Sequence, residues 1–258
     1  MRILAAACLV LALQDRADRF FEALRFEDAK PESEPGDRVY AMLRKKENWL
    51  EAFRAIEARV GPMPEKIALT VAFDYDGEEV AQAAARGGAG RIRFNLKRLE
   101  AYQVKLDNYE IQKKDLAKKG SRLVFKVAPA RLDRVIWHEL THIFHGDYDA
   151  PEWFKEGLAQ WLSDDPNTIQ AFALSKKDVE AIERPVAGRN DVYARGHLFW
   201  SWIETRVAVR AVVKATVVEG GAWKPSIEKV LGLSWASIEA AERAWSAAEV
   251  ESVRQRQK

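Results

Sequence analysis

The stretch VIWHELTHIFHG, residues 135–146, constrains the fold of this 258-residue chain more than any other, because it holds three of its four histidines. Its apolar residues recur three and four positions apart, which predicts a helix with one buried face. Those residues are Ile136, Leu140 and Ile143. On such a helix His138 and His142, four positions apart, present both imidazoles to the same point.

A pair of imidazoles at this spacing favours a zinc site over an ordinary amphipathic helix whose glutamate forms salt bridges. Glu139 is offset by one position, so it can lie beside the metal and accept a proton from zinc-activated water. A catalytic zinc needs a third protein ligand and leaves a fourth position for water. The nearby candidates are His145, Asp147, Asp149, Glu152 and Glu156. His145 is one turn further along the helix, which favours a place at the rim of the site.

The segment PEWFKEGLAQWL, residues 151–162, has helical spacing and begins with proline, so it predicts a second helix after a short loop. HELTH followed by WFKEGLAQW resembles the gluzincin metallopeptidases, and the short spacing is similar to that of small secreted peptidase-MA-like proteins. The resemblance implies that His138, His142 and Glu156 bind one zinc ion per chain and that Glu139 is the general base. Glu152 is the competing third ligand, although a first-turn carboxylate also suits the helix dipole.

The resemblance extends over about residues 65–246, since NDVYARGHLFWSWIETR is similar to the helix that follows the metal site in that group. It implies a zincin-like α+β fold, with a small mixed sheet, an HExxH helix and a mostly helical C-terminal half. Tyr193 and His197 are four positions apart on this helix and could point to the same place. The resemblance favours Tyr193 as the oxyanion donor, with His197 as the alternative donor or a substrate contact, while core positions remain the alternative for both.

The remaining pattern predicts strands followed by helices, which indicates an α+β domain. Strands are expected at 66–73, 91–96 and 122–127. Helices are expected at 15–30, 37–60, 97–119, 151–163, 175–184, 191–219, 225–231 and 234–252, besides the HELTH helix. We therefore expect a helical N-terminal segment at 15–64 and a catalytic domain at 65–258.

The first fourteen residues predict a cleaved signal peptide, because Arg2 precedes an apolar run of about eleven residues, too short to span a bilayer. A buried N-terminal helix and a lipid-modified Cys8 are the alternatives. Cys8 is the only cysteine, so a secreted or periplasmic mature chain would hold metal through nitrogen and oxygen alone. Forty-one basic and thirty-nine acidic residues give a net charge of +2, which does not favour a nucleic-acid partner.

These patterns together predict a secreted zinc metallopeptidase that hydrolyses peptide or protein substrates. A zinc hydrolase of another bond and an inactive zinc-binding scaffold are the alternatives. The oligomeric state is not predicted. The resemblance implies that the substrate backbone pairs with an exposed edge strand, for which RIRFNL at 91–96 and RLVFKV at 122–127 are the candidates. RIRFNL is favoured because the glycine cluster GGAG precedes it. The alternative is that RIRFNL is a central strand.

Overall fold

A computed structural model describes residues 16, 19–20, 23–62, 68–86, 88–119, 129, 131–146, 148–163, 169, 173 and 189–256. These residues form an α+β fold with a four-stranded mixed sheet and mostly helical content, as the sequence predicts. The expected signal peptide at 1–14, strand at 122–127 and helix at 175–184 lie outside them.

The described residues form two compact units. The first takes those up to Gln103 and those of Val135–Asp147, and the second takes those of Val104–Arg134 and those from Tyr148 onwards. The elements up to the histidine-rich helix are, in chain order, β1 (Leu24–Phe26), α1 (Glu34–Arg44), α2 (Lys46–Val60), β2 (Ala68–Ala72), β3 (Ala81–Arg86), β4 (Ala89–Phe94), α3 (Leu96–Lys118) and α4 (Arg134–His145).

The sheet of the first unit has the order β1-β2-β4-β3. β2 pairs parallel with both β1 and β4, and β3 pairs antiparallel with β4. The prediction of a helix over 15–30 is wrong at its C-terminal end, where β1 is extended. Leu24 is buried, Arg25 is exposed and both pair with β2, so the N-terminal segment contributes a strand to the sheet.

β4 lies between β2 and β3, so the prediction that RIRFNL is an edge strand is wrong. The sequence does not predict β3, because AQAAAR lacks the β-branched and aromatic residues that mark strands. β3 is a strand because it pairs with β4, with Arg86 opposite Ala89, although its alanines alone would not predict one. Gly88 has φ 80°, a left-handed conformation that suits glycine at the turn before β4.

The predicted helix at 37–60 is two helices, because Lys45 is extended between α1 and α2. Side chains from α2 satisfy the last carbonyls of α1. The Asn48 amide donates to the Met42 carbonyl at 2.9 Å, and the Trp49 indole N–H donates to the Leu43 carbonyl. These bonds replace the intrahelical bonds that end at the break. α3 follows the sheet as a charged helix with only Leu99 buried, which confirms the helix predicted at 97–119.

The elements after α4 all lie in the second unit. They are α5 (Glu152–Leu162), α6 (Arg189–Glu204), α7 (Val209–Val213), a π-helical segment (Lys214–Val218), α8 (Trp223–Leu231) and α9 (Trp235–Arg256). The single helix predicted over 191–219 is wrong, since α6 ends at Glu204. Thr205 takes the carbonyl of Trp202 with both its backbone N–H and its hydroxyl, at 3.0 and 2.7 Å. This local bonding competes with continuation of the helix.

α5 and α6 pack with their backbones in direct contact where Gly157 faces Gly196. A Cβ atom on Gly157 would lie 2.3 Å from the Cα atom of Gly196, so neither position has room for a side chain. Aromatic residues fill the space around this crossing, and the Trp200 indole N–H donates to the Phe154 carbonyl at 2.9 Å. The glycines therefore fix the separation of the two helices. No helix in the described ranges combines the length and apolarity that a membrane crossing needs.

Candidate metal centre

The histidine-rich segment forms α4, whose faces divide as the sequence predicts. Its apolar side is fully buried, with exposures of 0 to 1% for Ile136, Leu140 and Ile143. His138 and His142 are half-buried on another side of the helix. The helix is therefore anchored by one face and offers the two imidazoles on another.

The two imidazoles converge on one point through the same ring atom. Nε2 of His138 and Nε2 of His142 are 3.2 Å apart. This separation would allow both nitrogens to bind one zinc ion at the usual zinc–nitrogen bond length of about 2.0–2.1 Å. The pair therefore fits a zinc ion without rearrangement of α4.

Glu156 completes a group of three residues that could hold a metal ion. His138, His142 and Glu156 each offer one ligand atom, and these atoms all lie within 4.8 Å of one another. Two nitrogens and one carboxylate oxygen form a donor set that suits zinc. The competing carboxylate, Glu152, is exposed in the first turn of α5 and is not part of this group. Asp149 is exposed and Asp147 lies outside the described residues.

Glu139, the expected general base, is only 5% exposed although it neighbours the half-buried His138. Burial keeps bulk water away from this side chain and would strengthen its interaction with a proton donor. The arrangement is compatible with proton transfer beside the imidazole pair, and the role of Glu139 stays a prediction.

His145 lies elsewhere than the sequence analysis expected, because it is buried at 7% exposure and is not at the rim. Its Nε2 atom is 2.8 Å from Nδ1 of His142, and its own Nδ1 atom is 2.7 Å from the carbonyl oxygen of Gly146. His145 thus contacts the ring atom of His142 that faces away from His138. Helical spacing alone could not show this contact, which depends on the ring orientations.

Tyr193 and His197 both lie on α6, the helix that packs against the helix of Glu156. Tyr193 is half-buried and His197 is 7% exposed. The Gly157–Gly196 crossing is next in sequence to both Glu156 and His197, so the crossing fixes the backbone of each residue. Their expected roles, an oxyanion donor and a substrate contact, stay predictions.

Tyr148, which the sequence pattern does not mark as a site residue, is a half-buried tyrosine just before α5 whose hydroxyl is buried. Burial raises the pKa of its hydroxyl above the ordinary range, so the group stays protonated at physiological pH. Its ring contacts Phe154, and the Lys155 amine lies 5.3 Å from the ring centroid. Only its position four residues before Glu152 could have drawn attention to it.

The tryptophans mostly have the core positions that their helical spacing favours. Trp137, Trp161, Trp200 and Trp202 are buried. Trp153 is half-buried and lines a cavity of about 190 Å³ within the second unit, together with Trp223 and Trp235. The Lys224 amine lies 5.3 and 5.0 Å from the ring centroids of Trp223 and Trp235, so it forms cation–π contacts with both rings.

Neither protein-family models nor curated proteins nor solved structures give a match to this chain.

Proposed function

We propose that this protein is a zinc-dependent peptidase of the gluzincin type, secreted or periplasmic, that hydrolyses peptide bonds. The observation that carries the proposal is the His138–His142–Glu156 group, whose ligand atoms lie within 4.8 Å of one another. Glu139 beside it supports hydrolysis over a purely structural site, because a structural zinc site does not need an adjacent carboxylate base.

His138, His142 and Glu156 would hold the zinc ion. Bound zinc supplies an acidified water molecule and polarises the carbonyl that is attacked. As the water oxygen bonds to the carbonyl carbon, the carboxylate of Glu139 accepts a proton from that water. It then delivers the proton to the leaving nitrogen as the carbon–nitrogen bond breaks. The Tyr193 hydroxyl donates to the developing oxyanion, and His197 contacts the substrate or shares this donor role.

The substrate backbone pairs with β3, which takes the role first expected of RIRFNL. β3 is an edge strand, since in the described part of the chain only β4 pairs with it. Asn95 N–H donates to the Val80 carbonyl at 2.9 Å, which sets the alternation along the ladder. With Ala81 opposite Phe94, the backbone groups of Ala81, Ala83 and Ala85 face away from β4. Such groups suit the antiparallel addition of a peptide strand.

A library of internally quenched peptides tests the proposed function directly. We expect the protein purified without added metal to carry about one zinc per chain and to cleave members of the library. A chelator should abolish cleavage and zinc should restore it. Zinc content without cleavage of any peptide, or cleavage only of ester or phosphate substrates, would contradict a peptidase.

A further inference from the structure

We propose that His145 is a positioning residue for the metal centre, which fixes the tautomer and the orientation of His142. This inference rests on the metal site of the proposed function but does not require peptide hydrolysis. Its basis is the pair of contacts that His145 makes, 2.8 Å to His142 Nδ1 and 2.7 Å to the Gly146 carbonyl.

The Gly146 carbonyl determines which nitrogen of His145 carries the proton. A carbonyl oxygen only accepts hydrogen bonds, so the Nδ1–H group of His145 must donate to it. A neutral imidazole with its proton on Nδ1 has a lone pair on Nε2. His145 Nε2 therefore accepts, and the group that donates to it is the Nδ1–H of His142.

The same reasoning fixes the free nitrogen of His142. With its proton on Nδ1, neutral His142 carries a lone pair on Nε2, the atom that lies 3.2 Å from Nε2 of His138. A metal ion binds the unprotonated nitrogen of imidazole. The contacts of His145 thus prepare His142 for metal binding before the ion arrives, as hydrogen-bonded partners of ligating histidines generally do.

The backbone at the end of α4 makes this geometry possible. Gly146 has φ 59°, and its N–H donates to the His142 carbonyl at 3.0 Å. A left-handed residue just after a helix turns the chain sharply, here bringing the Gly146 carbonyl to the ring of His145. His145 is 7% exposed, so water competes little for either of its hydrogen bonds.

His145 acts on His142 and is not itself a metal ligand. Its Nε2 atom faces Nδ1 of His142, on the side of the ring remote from Nε2 and from His138. His145 also does not belong to the group whose ligand atoms lie within 4.8 Å of one another. The geometry therefore assigns two imidazoles and one carboxylate to the metal.

Two amide substitutions separate a positioning role from a structural one. The side-chain oxygen of His145→Gln can take the place of Nε2 and accept from His142. The shorter side chain of His145→Asn can reach only the place of Nδ1, so it keeps the bond to Gly146 and loses the bond to His142. We expect His145→Asn to weaken zinc binding about 10–100-fold and His145→Gln to bind within roughly threefold of the native protein.

Zinc dissociation constants from chelator competition at one fixed pH measure this difference, with thermal unfolding of the metal-free proteins as the control for folding. Nitrogen NMR shifts of His142 in the metal-free protein give a second readout. We expect a protonated Nδ1 in the native protein and in His145→Gln, and a changed tautomer in His145→Asn. Native-like zinc affinity and an unchanged tautomer in His145→Asn would overturn the proposal.

Failure of the inference and failure of the proposed function are distinguishable. A native protein that binds zinc with the expected order of affinities but cleaves no peptide would support the role of His145 and contradict the peptidase. Peptide cleavage with equal zinc affinities in all variants would do the reverse. X-ray absorption that counts three imidazoles on the metal would overturn the positioning role by making His145 a ligand.

Discussion

At the scale of single residues, the proposed chemistry depends most on Glu139, which can be altered without removing a metal ligand. Glutamine is nearly isosteric with glutamate but cannot accept a proton. We expect Glu139→Gln to retain about one zinc per chain and to lower kcat by a factor of about 10²–10⁴. Steady-state kinetics on a cleaved peptide, with elemental analysis of the same samples, measure both effects. Near-native turnover would show that another group is the base.

Two glutamates on the first turns of α5 provide a matched comparison for the third ligand. Glu156 belongs to the metal group, whereas Glu152 is exposed one turn earlier. We expect Glu156→Ala to weaken zinc binding by at least roughly tenfold, since loss of one ligand leaves two imidazoles. Glu152→Ala should change it little. Chelator competition measures both constants, and equal losses would reject Glu156 as the ligand.

At the scale of secondary-structure elements, proline substitutions in β3 test whether its outer edge, the one away from β4, binds the substrate. Ala83 N–H points away from β4, so Ala83→Pro removes an outward donor and leaves the sheet ladder intact. We expect this variant to fold, to keep its zinc and to lose kcat/KM for peptides. Unchanged kinetics in the folded variant would exclude β3 as the substrate edge.

Ala84→Pro is the matched control, because Ala84 faces β4 and pairs with Arg91. Proline at this position removes a ladder hydrogen bond within the sheet and should destabilise the protein. Urea unfolding of both variants separates the two effects. A larger loss of stability for Ala83→Pro than for Ala84→Pro would show that the assigned alternation is wrong.

The crossing of α5 and α6 predicts that a glycine-to-alanine substitution lowers the free energy of unfolding, the opposite of its usual effect in a helix. Replacing a helical glycine by alanine usually stabilises a helix by about 0.5–1 kcal/mol. Here a Cβ on Gly157 would lie 2.3 Å from Gly196, and a Cβ on Gly196 would lie 2.2 Å from the Trp153 carbonyl oxygen. We expect either alanine variant to lower the free energy of unfolding by about 1–3 kcal/mol. Stabilisation in urea unfolding would show that the backbones are not in contact.

At the scale of the whole molecule, features encoded in a few neighbouring residues were predictable. The spacing within α4 predicted both its buried face and the convergence of His138 and His142, because helical geometry alone determines them. The Glu156 group also followed from its motif. The edge of the sheet was not predictable, because β4 is an internal strand only through its pairing with β3. β3 is rich in alanine, which has little intrinsic preference for strands.

Other features depended on single hydrogen bonds that no periodicity reveals. The end of α6 is set by the Thr205 hydroxyl, and the orientation of His145 is set by the Gly146 carbonyl. In both cases several hydrogen-bond partners lie nearby in the chain, and the bond that forms depends on the folded structure. Sequence patterns predict where such residues lie but not which bond they form.

A buried ion pair in the second unit, Arg195 on α6 with Glu242 on α9, could not be predicted from helical periodicity either. Two hydrogen bonds of 2.6 Å join the side chains, which are 6% and 4% exposed, and the Ser246 hydroxyl donates to the same carboxylate at 2.7 Å. Removing one charge from such a pair leaves the other buried without compensation. The pair therefore makes the packing of α6 against α9 sensitive to a single substitution.

We expect Glu242→Gln to lower the free energy of unfolding by about 3–5 kcal/mol, because Arg195 keeps its charge in a buried place. Glu34→Gln is the matched control, since Glu34 pairs with Arg38 on the surface of α1 and is 74% exposed. That change should cost under about 0.5 kcal/mol. The double variant Arg195→Met/Glu242→Leu should recover much of the loss, because no buried charge remains. Urea unfolding measures all three, and similar small losses for Glu242→Gln and Glu34→Gln would show that the Arg195–Glu242 pair is hydrated in solution.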